Sequence, residues 1–479
     1  MDRRNIITTR PVHGRLLLLV QLISICCIAA GNPVSAHNDI IVSSGSTKSH
    51  HDNNRPYPSA AGSLDHVFPI RDRALALIDD ELPPLFPFRW RGYLGFSVAI
   101  VGLVLAGGGG IGGGGILVPT YILLLDLPVK RAISLASITV LGGAIANNLL
   151  NARKRHPNNP NRSVIDWELI LQFEPMTIAG TVLGAFLNKI LPALLLVILM
   201  VILLSVTAYK TFAKANELNK KENEAECRGA SEGTLDETKP LIEDSKTLDI
   251  EQQETQSDLA KGSANHAVAV RAATKLTVLF GVITTLNLFA GAPGEQNSGP
   301  IGLSNCGPAC FWSVEAIILV FILAFAFWQR HDLLQRIKAG NLVDSDIVWT
   351  EENTLVYPLY SVGAGLIAGL FGVGGGIIKG SLMLALGVHP AVAAASSACM
   401  ILFTSSTATL SFVAFGLLQP DYAIFCLLVG FVSTVVGQLG MSVLLKRYQR
   451  NSYIAYCIGL VVAISAVAMV IESVVALTE

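Results

Sequence analysis

The feature that most constrains this chain is its succession of apolar runs long enough to cross a lipid bilayer: 92–110, 132–152, 167–188, 190–212, 272–292, 312–329, 355–373, 391–417, 422–445 and 453–477. A hydrocarbon core about 30 Å thick takes roughly 20 apolar residues per helix. Within it only helices and closed barrels satisfy every backbone N–H and C=O, so runs of this length predict helices. Two further apolar pieces, 115–128 and 376–388, are short, and each directly follows a glycine cluster. Charge is kept out of the runs: Asp, Glu, Lys and Arg make up 14% of the chain, against about 25% in a soluble domain. The predicted fold is all-α, a polytopic membrane protein of about 10–12 transmembrane helices. The 34 basic and 35 acidic residues nearly cancel, which leaves no electrostatic footprint for nucleic acid. The lipid bilayer is the expected partner.

Residues 1–15 are basic (Arg3, Arg4, Arg10, Arg15), 16–30 form a short apolar run, and Val34 and Ala36 supply the small residues of a cleavage site. That is the anatomy of a secretory signal peptide over 1–36; the other reading is an uncleaved anchor. The polar stretch 37–88 then becomes a lumenal or extracellular tail, expected to be poorly ordered. Entry through the secretory pathway predicts residence in the plasma membrane or an endomembrane. Among the 8 cysteines, Cys399, Cys426 and Cys457 lie in apolar runs and read as small hydrophobes. Cys306 and Cys310 sit on a loop assigned outside the cytosol, where a disulfide between them would persist. No His or second Cys pair accompanies them, and neither a metal nor a cofactor is expected.

Direction comes from Lys and Arg, which favour cytosolic loops. They occur in 151–162, 329–338 and 446–450. With the amino terminus outside, these loops reach the cytosol only if both short pieces cross, alone or as halves of broken helices. The same reckoning puts the polar segment 213–270 in the cytosol, where its Glu, Lys, Ser, Thr and Asn read as a disordered linker. The organisation is a first transmembrane repeat over 89–212, the linker 213–270, connecting transmembrane helices over 271–330, a cytosolic loop 331–354 and a second transmembrane repeat over 355–479.

The repeat itself is visible when 113–132 is laid without a gap on 374–393. In both halves a helix rich in small residues follows, then an acidic-aromatic entry at Asp166-Trp167 and at Asp421-Tyr422, then a span with Gly180 and Gly184 or with Gly430 and Gly437. An odd number of crossings separates the two glycine clusters, so the fold is predicted as two inverted repeats with glycine-broken helices. Such paired interruptions mark the binding site of a secondary transporter. Glycine lets the chain leave helical geometry at depth, and the helix that restarts offers unpaired N–H groups and a positive dipole end. A small anion fits there. A lone cluster such as Gly107–Gly110 would read as a packing device; two clusters in corresponding places favour a site.

The stretches "GGGGILVP" (112–119), "NARKRHPNNP" (151–160), "FEPMTIAGTVLGAFL" (173–187) and "GLFGVGGGIIKG" (369–380) resemble the TauE/SafE family of sulfite and organosulfonate exporters, also called the toluene-sulfonate uptake permease family. The "RHP" loop, the long linker and the signal-like leader look most like its eukaryotic, plant-type branch. The resemblance covers about residues 90–477 and implies secondary transport of sulfite, sulfonates or related oxyanions. Glu174 departs from the Gln that plant-type relatives tend to carry before "PM". In the gapless alignment Lys379 and Gly380 stand opposite Val118 and Pro119.

The expected substrate-binding residues are Gly112, Gly113, Gly114 and Gly115 at the first cluster and Gly374, Gly375 and Gly376 at the second, with Lys379, Asn147, Ser134, Ser137, Ser396 and Ser397 on the segments that follow. A lysine among apolar residues is costly unless paired or facing water, so Lys379 either attracts an anion or snorkels to the nearby surface. Glu174 either exchanges a proton, opposes a basic group or lies at the interface. The hydroxyls and amides suit a weakly held anion, although each alone is equally a helix–helix hydrogen bond. Asp126, Pro128, Lys130, Arg131 and His389 fall at segment junctions and read as caps or gates.

The function read from the sequence is a secondary carrier of small anions, most of all sulfite or organosulfonates, working by alternating access around the two breaks. An intramembrane enzyme would need convergent nucleophiles, carboxylates or metal ligands. No HExxH, GxSxG or aspartate pair falls within the apolar spans, so no catalytic residue is assigned. The alternative is a non-transporting receptor or scaffold acting through the linker.

Overall fold

A computed structural model describes residues 90–108, 113–156, 159–232, 269–287, 308–339, 347, 349–448, 456, 459–460 and 462–471. The expected leader and tail lie outside the described residues. The elements are α1 (Trp90–Gly108), α2 (Gly114–Leu123), α3 (Val129–Asn151), a hairpin of β1 (Arg155–His156) and β2 (Asn159–Ser163), α4 (Trp167–Ile190), α5 (Ala193–Glu232), α6 (Ala269–Asn287), α7 (Pro308–Lys338), α8 (Asn353–Phe371), α9 (Gly376–Ala385), α10 (Pro390–Ala414), α11 (Pro420–Tyr448) and α12 (Val462–Ile471). Among the described residues 9 helices are long and apolar enough to span a bilayer, and the chain is an integral multi-pass membrane protein. α5 continues to Glu232, so the polar segment assigned to the linker starts as helix. Its residues 213–226 are mostly Ala, Glu, Lys, Leu and Asn, of which all but Asn are good helix formers.

Burial sorts the helices. Of their most apolar stretches, α3, α4 and α10 have 89%, 83% and 94% buried inside the protein, whereas α5 and α7 have 22% and 17%. The first three form the core; the last two present Leu, Ile and Val side chains to lipid. Glycine sets how closely the core is drawn together. A Cβ on Gly180 or Gly184 of α4 would run into the backbone of Val362 and Leu366, and one on Gly365 or Gly369 of α8 into that of Thr177 and Thr181. α4 and α8 therefore run parallel with their backbones in contact, the arrangement that small residues four apart permit. α1 and α11 touch in the same manner, through Gly437 against Val104 and Gly107 against Thr434.

The two short helices fold back along their predecessors. Arg91, at the start of α1, pairs with Asp126 in the turn after α2, and a Cβ on Gly102 would meet Ile116. α1 and α2 thus have their outer ends on one face. On the other, the His156 and His389 rings lie 6.0 Å apart, Asp166 N–H donates to Ser396 Oγ at 2.9 Å, and Arg336 binds Glu168 at 2.8 Å. Arg330 Nε donates to Thr354 Oγ1 at 3.3 Å. These contacts gather the ends of α3, α7 and α9 with the starts of α4, α8 and α10. Each short helix has 10 residues, about 15 Å of rise against a core of about 30 Å. Neither crosses alone, but each returns toward the face its partner entered, which leaves the side of every later loop the same as for a crossing.

The basic loops after α3 and α7 consequently share one face with the start of the polar segment after α5. Asp166 caps α4 by accepting from Leu169 N–H at 3.1 Å, and Arg162 reaches the same carboxylate. The N-x-S acceptor Asn161-Arg162-Ser163 lies on β2 at this face. If the face is cytosolic, Asn161 stays unmodified when the protein is made in a glycosylating cell. A glycosidase-sensitive shift in mass that disappears in Asn161→Gln would place the face in the lumen instead.

Candidate functional site

The two interruptions meet inside the protein. Gly113 caps α2 at φ 66° and Gly375 caps α9 at φ 69°, left-handed backbone that glycine adopts without a Cβ penalty. A Cβ on Gly114 would collide with the Cα, carbonyl carbon and oxygen of Val373. The N-terminal ends of α2 and α9 therefore abut, and from there the helices run to opposite faces. The first N–H groups of each helix have no carbonyl of their own helix to bind, and the two positive dipole ends converge. Gly115 and Gly376 are buried in the first turns. Gly112 lies outside the described residues.

One charged pair stands at this place. Lys379 Nζ is 3.2 Å from Glu174 Oε2, with the side chains 1% and 0% exposed. Helical side chains lean toward the N-terminus, and the Lys379 Cε accordingly lies 3.5 Å from where a Cβ on Gly375 would stand. The ammonium is carried back to the head of α9. Its second partner is Thr404 Oγ1 at 3.4 Å, and Thr404 donates to the Gly374 carbonyl at 3.1 Å. Ser397 Oγ donates to the Gly376 carbonyl at 3.0 Å. α10 thus holds the second break by two hydroxyls, α4 supplies the carboxylate, and the ammonium lies between.

The remaining expected residues divide. Ser137 stands beside Gly372, where a Cβ would meet its Oγ, and donates to the Ile133 carbonyl at 3.2 Å. Ser134 bonds back to the Lys130 carbonyl at 2.8 Å. Ser396 is away from the break, on the Asp166 N–H at the loop face. Asn147 lies two turns beyond Val140, the α3 residue that faces Gly374, with its Oδ1 buried and without a hydrogen bond. Two of the junction residues make capping contacts: Lys130 Nζ donates to the Lys189 carbonyl at 2.7 Å, and His389 accepts from Ala391 N–H at 3.2 Å. Cys306 and the side chain of Cys310 lie outside the described residues. Cys399 and Cys426 are buried thiols.

Two features escape sequence reasoning. The helices and their caps align Gly113 with Gly375, one residue from the gapless alignment, because the turn after α2 (124–128) is one residue longer than that after α9 (386–389). Lys379 therefore corresponds to Leu117, itself fully buried, and not to Val118. On α2 the buried polar groups are instead Thr120, whose hydroxyl bonds back to the Ile116 carbonyl at 2.7 Å, and Tyr121, whose hydroxyl is 2.9 Å from Thr139 Oγ1 and 3.8 Å from Cys426 Sγ. Its tyrosine had no distinguishing pattern in an apolar run.

The family model described as Sulfite exporter TauE/SafE matches residues 94–287 and 308–469. Sulfite exporter TauE/SafE family protein 2 of Arabidopsis thaliana is 28% identical over 394 residues, 78% of this chain and 82% of that protein. Family protein 1 of the same plant is 26% identical over 377 residues, 76% of this chain and 80% of its own length. Family protein 3 is 28% identical over 396 residues, 81% and 79% of the two chains. No solved structure matches the chain.

Proposed function

Because the chain belongs to the Sulfite exporter TauE/SafE family, we propose that it is a secondary carrier of small sulfur oxyanions, sulfite or organosulfonates, that works by alternating access around the two abutting half-helix ends. The observation that carries this reading is the junction of Gly114 with Val373 beside the buried Lys379. There two positive dipole ends meet in a medium of low dielectric, where they act strongly on a negative charge, beside an ammonium that Glu174 pairs in the empty site. In this reading the two four-helix units, α1–α4 and α8–α11, are inverted repeats. Rocking one against the other opens the junction to each face in turn, as in other repeat-built carriers. The hydroxyls of Ser397 and Thr404 hold the backbone of the second break in place. The face with the basic loops is the cytosolic one.

The test is radiolabelled sulfite uptake and efflux in proteoliposomes, with sulfate, a small sulfonate and chloride as competitors. Saturable flux is expected from the wild type. Replacing Glu174→Leu together with Lys379→Met, which removes both buried charges at once, is expected to cut it at least about tenfold, the loss of one ordinary charge-assisted contact of ~1.4 kcal/mol or more. Unchanged flux in the double variant would remove the site from this junction, and no flux of any anion in folded wild type would remove the carrier.

A further inference from the structure

The two half-helix ends are unequal, and the inequality points to what travels with the anion. α9 carries Lys379 where α2 carries the buried Leu117, so the charged pair exists on one side of the junction only. Within that pair Glu174 uses one oxygen: Oε2 is 3.2 Å from the ammonium, whereas Oε1 is buried without a hydrogen bond. A carboxylate oxygen is an acceptor that normally takes one or two donors. Glu174 is thus seated where an anion would be, without the full set of bonds an anion would draw.

We propose that Glu174 is a tethered occupant of the anion seat at Lys379, displaced and protonated each time a singly charged oxyanion loads, so that one proton moves with each monoanion. This rests on the carrier reading above. The charges balance at each stage. Unloaded, the site holds one ammonium and one carboxylate. Loading brings one negative charge to the ammonium, and Glu174 takes a proton from the same aqueous side, forming a single O–H bond; release reverses both. The net charge is zero in either state, so the loaded and empty forms reorient at similar electrostatic cost. A dianion would leave one uncompensated buried charge, which burial strongly disfavours. Hydrogensulfite and alkanesulfonates fit, whereas sulfate does not.

The surroundings of Glu174 bear on the proton. From α9 it faces Lys379; from α10 the Thr404 hydroxyl contacts that lysine at 3.4 Å, and Cys399 lies within electrostatic reach of it. From α8 the Tyr357 ring stacks on the neighbouring Phe173. On α7, Arg336 and Asp332 are engaged with Glu168 and Lys275 at the loop face.

Methanesulfonate, a monoanion at every accessible pH, is the probe. In wild-type proteoliposomes with the membrane potential clamped at zero, an inward proton gradient of one pH unit is expected to drive about tenfold accumulation, since a factor of ten in protons is exchanged for a factor of ten in anion. A trapped pH dye should record one proton per anion, and sulfate should compete at least about tenfold more weakly than methanesulfonate. In Glu174→Gln the gradient-driven accumulation is expected to fall from tenfold to onefold, and any residual flux should respond to voltage, because Lys379 then loads without a proton. Wild-type flux with no proton, equal competition by sulfate, or intact coupling in Glu174→Gln would each overturn the proposal while leaving a carrier. Should the variant not fold, the wild-type proton count decides alone. Absence of any anion flux in wild type would overturn the carrier reading and this one with it.

Discussion

Replacing Lys379→Met alone is expected to lower the unfolding free energy by about 3–5 kcal/mol, and Glu174→Leu alone by a similar amount, because each leaves its partner charged and buried. The double variant is expected to return to within about 1–2 kcal/mol of the wild type or above it, since well-packed apolar side chains replace an ion pair whose desolvation offset much of its attraction. The geometry behind the expectation is direct: 3.2 Å between Nζ and Oε2, at 1% and 0% exposure. Two exposed groups at that distance would be worth roughly 0–1 kcal/mol; burial is what enlarges the penalty for separating them. Thermal unfolding of the four proteins in detergent gives the cycle, and the coupling between the two sites is read from its non-additivity. Additive losses would show that the two side chains do not meet. The same four proteins separate stability from transport, because the double variant is expected to regain its melting temperature without regaining flux.

The second large effect concerns the contact between α4 and α8. Gly365→Leu is expected to abolish folded protein or to lower its stability by well over the ~1–3 kcal/mol typical of an overpacked core, since the first atom added would overlap the Thr177 carbonyl oxygen. Side chains can rotate away; a helix backbone cannot, so α4 and α8 must part along their length. Gly363, two residues earlier on the same helix, has nothing within 4 Å of where its Cβ would stand. Gly363→Leu is therefore the control, expected to be neutral or to gain up to about 1 kcal/mol from helix propensity. Fluorescence-detected gel filtration and melting in detergent measure both. Equal behaviour of the two variants would mean that the close approach of α4 and α8 does not support the fold.

Most helix positions were legible because the bilayer imposes one rule on every span. Apolar length alone located α3 within three residues of the predicted 132–152 and α4 within two of 167–188. The N-cap Asp166 was legible for a local reason, an acidic side chain one residue before an apolar run. The glycine clusters were legible as interruptions, and Lys379 and Glu174 as charges in apolar surroundings. Their partnership was not, because 205 residues separate them and nothing local in either segment encodes the other. Glycines gave the same local signal with different outcomes: Gly113 and Gly375 cap half-helices in left-handed backbone, whereas Gly180, Gly184, Gly365 and Gly369 let helices touch.

What the sequence by itself determined is where most of the spans lie, because burying backbone in hydrocarbon is a constraint each segment must satisfy alone; it did not determine all their ends, since α5 runs on to Glu232 and α7 to Lys338. What only the tertiary structure decided is that the short helices turn back instead of crossing, that their N-terminal ends abut at Gly114 and Val373, and that the lysine of one half finds its carboxylate on the other. These depend on which glycine lets which backbone approach, and on how many residues each turn contains. Both are settled by contact between segments far apart in the chain.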